Sequence, residues 1–342
     1  AFTLEHLGHK QDALDVLDTC LAEKWESLGL DLMSGIAGVG LNLLHFAERT
    51  GEPGFADAAR RATELVAERL GDVESTPAVS GGSQPYAGLM HGSSGPALFL
   101  MAAYDRTGDT GLLDLAAVAL RQDLRRCLLG ESGTLEVDEG WRTMPYLRSG
   151  SVGIGMALDE YLARRHDDQF VEAIRGVDLA ARSSMYILPG LFEGRAGILF
   201  YLARQFYLAR QRAGRFANGG PGTVDALLRE GQFANGDRGR SAGGLALPAT
   251  DPLGGYAGDP LAGGAAADPQ VRKQVRGLAW HALPYAQGLA FPGTRLMRLS
   301  MDVATGNAGV LLALGSALHH EPTPLPLLAL TGRRPVAVAA TG

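Results

Sequence analysis

Four side chains that can transfer protons or stabilise charge each stand a few residues before a Gly-x-x-Gly motif: His91, Arg148, Glu193 and Asp302. An imidazole with an ordinary pKa of about 6.5 exchanges protons near neutral pH, whereas a guanidinium stays cationic. Carboxylates can pair with that cation or act as acids and bases themselves. The sequence therefore predicts a polar site wherever the glycine motifs come together in the fold.

The glycine motif recurs five times, and its spacing indicates a repeated structural unit. The motifs begin at Gly35, Gly92, Gly150, Gly194 and Gly306, at intervals of 57, 58, 44 and 112 residues. The last interval is twice 56, which predicts that part of one repeat is replaced. We expect residues 213–268, which are rich in Gly, Ala and Pro, to form this replacement as a long flexible excursion. A functional lid is the alternative interpretation of that segment.

Two kinds of helical pattern alternate along the chain. The segments after the motifs are apolar on nearly every side, as in fully buried helices: 39–47, 96–104, 154–163, 198–209 and 310–318. The segments between them are amphipathic, as in surface helices: 13–25, 55–70, 112–129 and 170–185. This alternation predicts an all-α fold, an α/α toroid with an inner and an outer ring of helices. Short β-hairpins are expected at the mouth of the ring, over 289–306 and 133–147.

Such a fold gives a physical reason for the glycines at the start of each inner helix. Each inner helix would start near a crowded axis, where a Cβ atom would clash. Helix N-termini converging there would also present free N–H groups and positive dipole ends. We therefore expect the mouth of the ring to favour developing negative charge.

Composition restricts the possible classes of protein. The chain has 342 residues, 46% of them hydrophobic and 20% charged, which is typical of a globular protein. We expect residues 1–342 to form a single toroid domain. The formal net charge is −6, with no basic stripe, so a nucleic-acid partner is not expected.

The sequence predicts neither a membrane span nor a signal peptide, and it contains few cysteines. No apolar run reaches the roughly 18 residues of a membrane span, and the N-terminal segment does not resemble a signal peptide, so we expect a cytoplasmic protein without membrane contact. Two cysteines, Cys20 and Cys127, are too few for a disulfide framework or a Cys-rich zinc module. The chain begins with Ala rather than Met, which indicates a fragment of a longer protein.

Three longer motifs, together with the repeated glycine unit, resemble the lanthipeptide cyclase (LanC-like) family: Tyr86–Gly95, Pro189–Gly197 and Phe291–Gly309. More narrowly, the chain is similar to the C-terminal cyclase domain of class III lanthipeptide synthetases, which are three-domain lyase–kinase–cyclase enzymes. The resemblance implies an α/α toroid that adds peptide cysteine thiols to dehydroalanine or dehydrobutyrine, forming lanthionine or methyllanthionine rings. In class III, a second attack by the enolate can give labionin. The implied partners are a dehydrated precursor peptide, with leader and core, and kinase and lyase domains of the same polypeptide.

The chain departs from the zinc-binding pattern of that family. Zinc-dependent members carry Trp-Cys-x-Gly before one inner helix and Cys-His-Gly before the next, and these three side chains bind the metal. The matching positions here are Arg148, Phe192 and Glu193. Because a zinc site needs three or four suitable ligands, we expect no bound metal and no other cofactor.

The resemblance also implies roles for individual residues. His91 matches a histidine beside the metal in zinc-dependent members, where it serves in proton transfer. Without zinc, Arg148 is expected to lower the pKa of the attacking thiol and to pair with Glu193. The catalytic candidates are His91, Arg148, Glu193 and Asp302, and the substrate-binding candidates are Tyr86, Tyr146, Phe192 and Arg298.

Each catalytic candidate also has a structural interpretation. His91 can cap a helix, and Arg148 with Glu193 can form a salt bridge that joins adjacent inner helices. Asp302 can pair with Arg298 to fix a hairpin.

Two other functions remain open at this point. The loss of all three zinc ligands leaves open a non-catalytic scaffold that binds the leader or core peptide. An α/α-toroid glycoside hydrolase would need two carboxylates at the mouth, for which Glu193 and Asp302 are candidates. An aromatic content of only 7% and the glycine repeats argue against the hydrolase.

Overall fold

The structure is a computed structural model that describes residues 1–82, 84–217, 264–319 and 324–325. The helices of these ranges are α1 (Phe2–His6), α2 (Lys10–Ala22), α3 (Ile36–Thr50), α4 (Pro53–Arg69), α5 (Ser94–Thr107), α6 (Gly111–Leu124), α7 (Ser151–Leu162), α8 (Asp168–Ala181), α9 (Arg195–Ala217), α10 (Pro269–Ala279) and α11 (Asn307–Leu318). The strands are β1 (Cys127–Leu129), β2 (Leu135–Asp138), β3 (Thr143–Met144), β4 (Leu283–Tyr285) and β5 (Gly288–Ala290). Within these ranges, no helix combines the length and the apolar character that crossing a membrane requires.

Inner and outer helices alternate as the sequence predicts. The inner helices α3, α5, α7, α9 and α11 begin at the five glycine motifs, and each packs against the next in this order. The outer helices α4, α6, α8 and α10 each pack on the inner helix that precedes them. Helices α5 and α7 are buried over most of their length, whereas α4 and α8 bury one face. The predicted all-α fold, an α/α toroid, is confirmed.

The second glycine of each motif lies against the loop that leads into its helix. In all five motifs, a Cβ atom at this glycine would overlap the carbonyl oxygen of the residue six positions earlier: Gly38, Gly95, Gly153, Gly197 and Gly309. In the last four it would also run into the Cβ atom of the equivalent residue in the preceding repeat. A side chain here would therefore separate an inner helix both from its own loop and from the neighbouring repeat.

Backbone hydrogen bonds join the loops before the inner helices to one another. The N–H of Met33 donates to the carbonyl of Met90, and that of Met90 to Arg148, both at 3.0 Å. The N–H of Arg148 donates to Phe192, and that of Phe192 to Ala304, both at 2.9 Å. All five residues stand two positions before the first glycine of their motif. The loops of successive repeats are consequently held in register at the mouth.

The predicted helix over 112–129 is too long. Helix α6 ends at Leu124, and β1 follows it and pairs antiparallel with β2. The carbonyl of Arg126 accepts a hydrogen bond from the N–H of Asp138, so the chain continues the sheet rather than the helix.

The two predicted hairpins have different outcomes. The hairpin over 133–147 is confirmed, because β2 and β3 pair antiparallel. The hairpin predicted over 289–306 lies earlier in the chain, as β4 and β5. Within residues 291–306, which are all described, one isolated bridge joins Pro292 and Leu299. Pro292 has no N–H to donate, and Arg295 and Leu296 have positive φ angles, so this segment turns instead of extending.

The predicted excursion over 213–268 lies mostly outside the described residues, as does the helix-like piece at 224–231. At its start, residues 213–217 continue α9. At its end, Gly264–Ala267 form a 3-10 turn whose first three residues are buried. The predicted excursion therefore starts too early and ends too late, and residues 218–263 lie outside the described part of the chain.

Candidate functional site

His91, Arg148 and Glu193 meet at the mouth end of the inner helices. Arg148 Nη1 donates to Glu193 Oε1 at 2.7 Å, and Arg148 Nη2 lies 3.0 Å from His91 Nε2. The three residues belong to the loops before α5, α7 and α9, which the backbone hydrogen bonds hold in register. The predicted ion pair between Arg148 and Glu193 is therefore present, and His91 joins it.

Arg148 determines which nitrogen of His91 carries the proton. Because a guanidinium can only donate, His91 Nε2 must be the acceptor, and the proton of the neutral ring is on Nδ1. Burial, followed by the charge of Arg148, lowers the pKa of His91 below its ordinary value. His91 is thus a neutral imidazole at neutral pH, and its Nε2 can accept a proton once Arg148 moves away from it.

Asp31 completes this cluster, and the motifs used for the sequence predictions do not single it out. Asp31 Oδ1 lies 3.7 Å from His91 Nδ1, on the side of the ring that carries the proton. The same oxygen accepts the N–H of Ser34 at 2.8 Å, which fixes the carboxylate in its loop. An alignment of the repeats offers a signal, because Asp31 stands four residues before its motif, as Asp302 does before its own.

Asp302 is bound within its own loop. Its Oδ1 accepts the N–H of Thr305 at 2.7 Å, and its Oδ2 accepts the hydroxyl groups of Ser300 and Thr305. These hydrogen bonds, the one from Ser300 first, lower the pKa of Asp302 to about 2. A carboxyl group with this pKa holds no proton at neutral pH, so Asp302 cannot serve as the acid of a glycoside hydrolase.

The predicted pair between Asp302 and Arg298 is wrong. Asp302 takes its hydrogen bonds from neighbours two and three residues away, which reach it without ordering a long side chain. Arg298 is exposed, and its backbone carbonyl accepts the N–H of Gly293 at 2.7 Å.

The three aromatic candidates have different surroundings. Tyr86 is exposed, and its ring centroid lies 6.3 Å from that of His91. Phe192 is half-buried and packs against the hydrophobic core. Tyr146 packs against Tyr186, with 6.0 Å between the ring centroids. Of the three, Tyr86 is the one placed beside the imidazole.

A cavity of about 180 Å³ opens beside Glu193. The loops before α9 and α11 enclose it, with Leu188, Thr294, Arg295 and Thr305 among the lining residues. Arg295 has a φ angle of 55°, a left-handed conformation that is uncommon outside glycine and often found at functional sites. A larger groove of about 590 Å³ between α4 and α6 is mostly apolar and contains no member of the His91 cluster.

Some of the N–H groups at the N-termini of the inner helices, which the sequence predicts to be free, already have an acceptor. The N–H groups of Ile36, Val152, Arg195 and Asn307 each donate to the carbonyl seven positions earlier, at 2.8–3.1 Å. In α5 the N–H of Ser94 donates to Asp123 Oδ2 at 2.8 Å. The loops fold back over the helix starts and use these donors. Arg148 supplies a cation beside these helix starts, and it can stabilise an anion.

Comparison of the sequence with known proteins identifies the family of the chain. Residues 5–176 match the family described as Lanthionine synthetase C-like protein. The chain belongs to this family. A probable SapB synthase of Streptomyces coelicolor is 41% identical over 328 residues, which make up 96% of this chain and 30% of that protein. The chain thus spans less than a third of the length of this relative.

The three residues at the positions that the resemblance matches to zinc ligands do not fit a metal ion. Arg148 is a cationic donor, and Phe192 has no lone pair to give. Glu193 could coordinate a metal, but its Oε1 accepts the hydrogen bond from Arg148. In the described ranges, no three His, Cys, Asp or Glu side chains are grouped so that they could hold a metal ion.

Proposed function

We propose that this chain is a lanthipeptide cyclase domain that adds peptide cysteine thiols to dehydroalanine or dehydrobutyrine without zinc. Membership of the Lanthionine synthetase C-like family supports the cyclase reaction. The observation that supports the zinc-free mechanism is the contact of the Arg148 guanidinium with both His91 and Glu193, at a position that the resemblance matches to a zinc ligand.

The reaction requires a proton to leave sulfur and another to reach carbon. In the proposed sequence, Arg148 moves from His91 Nε2 towards the peptide thiol, and Nε2 accepts the thiol proton. The thiolate attacks Cβ of the dehydro residue, a C–S bond forms, and the π electrons of the C=C bond move to give an enolate. Protonated His91 then returns a proton to Cα. No redox partner is needed, because the addition consumes only the thiol and the double bond.

Each charged group near His91 has a role in this sequence. A free thiol has a pKa of about 8.5, and a guanidinium beside it favours the thiolate. Glu193 orients Arg148 through their hydrogen bond. Asp31 faces Nδ1 and stabilises the imidazolium that forms when His91 accepts the proton.

The cysteines of the chain itself do not suit the role of nucleophile. Both are free thiols, and burial raises the pKa of each of them, most strongly for Cys127. This supports a reaction in which the thiol arrives with the substrate.

The remaining candidates act in substrate binding or loop support. Tyr86 borders His91 and offers an exposed ring to the peptide. Arg298 offers an exposed cation, while Phe192 and Tyr146 support the loops from the core side. We assign Asp302 to holding the loop before α11, since its hydrogen bonds all lie within that loop.

The proposal includes the class III setting. A relative more than three times as long as this chain supports a multidomain synthetase, with kinase and lyase domains that deliver the dehydrated precursor peptide in the cytoplasm. Labionin would form when the enolate attacks a second dehydro residue before it is protonated.

The test is incubation of a dehydrated, leader-bearing peptide with this protein, followed by thiol capping and mass spectrometry. A cyclase protects the peptide thiols from capping, whereas a scaffold binds the peptide and leaves the thiols reactive. The matched control is the folded His91→Ala/Arg148→Ala double variant, which we expect to bind peptide and leave its thiols reactive. Stoichiometric zinc in elemental analysis of active protein would contradict the zinc-free mechanism.

A further inference from the structure

A carboxylate on the outer helix α6 holds the loop that carries His91. Asp123 is 0% exposed, and its Oδ2 accepts three hydrogen bonds. These come from the N–H of Gly88 at 3.1 Å, the N–H of Ser94 at 2.8 Å and the hydroxyl of Ser94 at 2.7 Å. Gly88 stands three residues before His91, and Ser94 stands three residues after it. One oxygen atom therefore fixes both ends of a short loop with the imidazole at its centre.

Two other mouth loops are fixed from within. Asp31 and Asp302, each four residues before a glycine motif, accept N–H groups of their own loops. In the His91 loop this position is Gly88, which has a φ angle of 92°. A Cβ atom there would come within 2.8 Å of the Ser149 backbone. Because no side chain fits at this position, an internal carboxylate cannot hold the loop, and Asp123 does so from α6.

Asp123 also supplies the cap that α5 lacks. Ser93, the N-cap residue, makes no side-chain capping hydrogen bond, and Ser94 begins the helix. A carboxylate at a helix N-terminus is favoured by the helix dipole and satisfies an otherwise free N–H group. Arg126 lies beside Asp123, with Nη1 3.9 Å from Oδ1, and donates to the carbonyl of Pro85. The end of α6 thus contacts the loop on both sides of Gly88.

We infer that Asp123 is a positioning residue for the proposed proton transfer: through Gly88 and Ser94 it sets where the imidazole of His91 stands relative to Arg148 and Asp31. The catalytic consequence rests on the proposed function, but the position of His91 can be measured without any reaction. Because Asp123 is 0% exposed, we assign it no direct contact with the peptide or the reacting atoms.

Three substitutions distinguish an effect on the position of His91 from an effect of the Asp123 charge and from a general loss of stability. Asp123→Leu keeps the branching and the number of side-chain heavy atoms, with a larger volume, and removes the acceptor. Asp123→Asn removes the charge and keeps an oxygen that can accept the same hydrogen bonds. Asp159→Asn is the matched control, because Asp159 is also a buried carboxylate, accepts a hydrogen bond from Gln205, and lies near the other end of α7.

The readout is the titration of the His91 imidazole, followed by nuclear magnetic resonance. In Asp123→Leu we expect the pKa of His91 to rise towards its ordinary value of about 6.5, because a released loop exposes the ring and moves it from Arg148. In Asp123→Asn and Asp159→Asn we expect it to stay as in wild type. Arg148, Asp31 and Glu193, the charged groups that face His91, are unchanged in all three variants.

The corresponding kinetic expectation is a fall in kcat for Asp123→Leu of about 10- to 100-fold with little change in KM, since a small misplacement of a catalytic group has this effect. Asp123→Asn should recover most of the rate, and Asp159→Asn should retain it.

Each outcome decides the inference. A folded Asp123→Leu variant whose His91 titrates as in wild type would overturn it, whatever the activity. A shifted His91 in a protein that closes no rings even as wild type would support positioning and reject the proposed function. If Asp123→Leu does not fold, Ser94→Ala removes one of the three hydrogen bonds and should give a smaller shift in the same direction. An unshifted His91 in that variant would also overturn the inference.

Discussion

The two ends of the inner helices both carry arginine–carboxylate contacts, but the contacts differ in exposure. At the mouth, the side chains of Arg148 and Glu193 are 39% and 43% exposed. Beyond the C-terminal end of α7, Arg164 binds Asp105 with two nitrogens and also contacts Glu160, and all three side chains are less than 10% exposed. The same chemical groups are thus open to solvent at one end and enclosed at the other.

The difference shows which network is available for chemistry. Arg164 is surrounded by protein partners, and removing it leaves Asp105 buried without its cation. Glu160, by contrast, keeps its ion pair with Arg204. Arg148 holds its partners at the surface, where a solvated ion pair contributes little to stability and can exchange partners at low cost. The enclosed network therefore serves folding, and the open one can serve a substrate.

Replacing Arg164 should produce the largest loss of stability. For Arg164→Ala we expect the free energy of unfolding to fall by about 3–5 kcal/mol, because Asp105 remains buried without its cation. For Arg148→Ala we expect a fall of less than about 1 kcal/mol. Urea unfolding followed by circular dichroism measures both, and equal losses would contradict the distinction between the two ends.

Asp159, near Arg204 in the enclosed network, should make folding depend on pH. Burial, the largest cause, raises its pKa in the folded protein to about 7, above the ordinary value of the unfolded chain. The folded state therefore favours the protonated form, so the contribution to stability is complete at low pH and is lost as the pH rises through about 7. Between pH 5 and 8 this loss is at most about 3 kcal/mol.

The Asp159→Asn variant isolates this contribution. Its free energy of unfolding should vary less between pH 5 and 8 than that of wild type, because the amide does not titrate. An unchanged pH dependence would show that Asp159 is already ionised in the folded protein at pH 5.

Asp302 should have the smallest effect. Asp302→Asn removes a carboxylate that is bound in an exposed loop, so we expect a stability loss of about 1 kcal/mol or less. Because its pKa is about 2, the pH profile of ring closure above pH 5 should keep its shape. A change of shape near neutral pH would mean that Asp302 takes part in proton transfer.

The repeat could be predicted from the sequence because its glycines are required by close packing that recurs at each inner helix. The contact between Arg148 and Glu193 follows from the same register, since Arg148 lies beside its equivalent, Phe192, and Glu193 is the next residue along the chain. Asp123 carries no comparable signal: it stands on an outer helix, 29 residues from Ser94, outside the repeated motif.

The incorrect predictions have local causes. The pattern over Cys127–Leu129 is apolar enough for a helix, but pairing with β2 prevails there. Some of the N–H groups expected to be free at the inner-helix starts donate to carbonyls of the preceding loops, a contact that helical periodicity does not encode.

The most direct test of the mechanism is the rate of ring closure against pH for wild type, His91→Ala and Arg148→Ala, after circular dichroism has established that all three are folded. His91→Ala should bind peptide and close rings about 10²- to 10⁴-fold more slowly, as expected for a lost acid–base group. Arg148→Ala should shift the pH optimum upward, because the attacking thiol returns towards its free pKa of about 8.5. Folded variants that match wild type across the pH range would contradict the account, and both residues would then be structural parts of a peptide-binding scaffold.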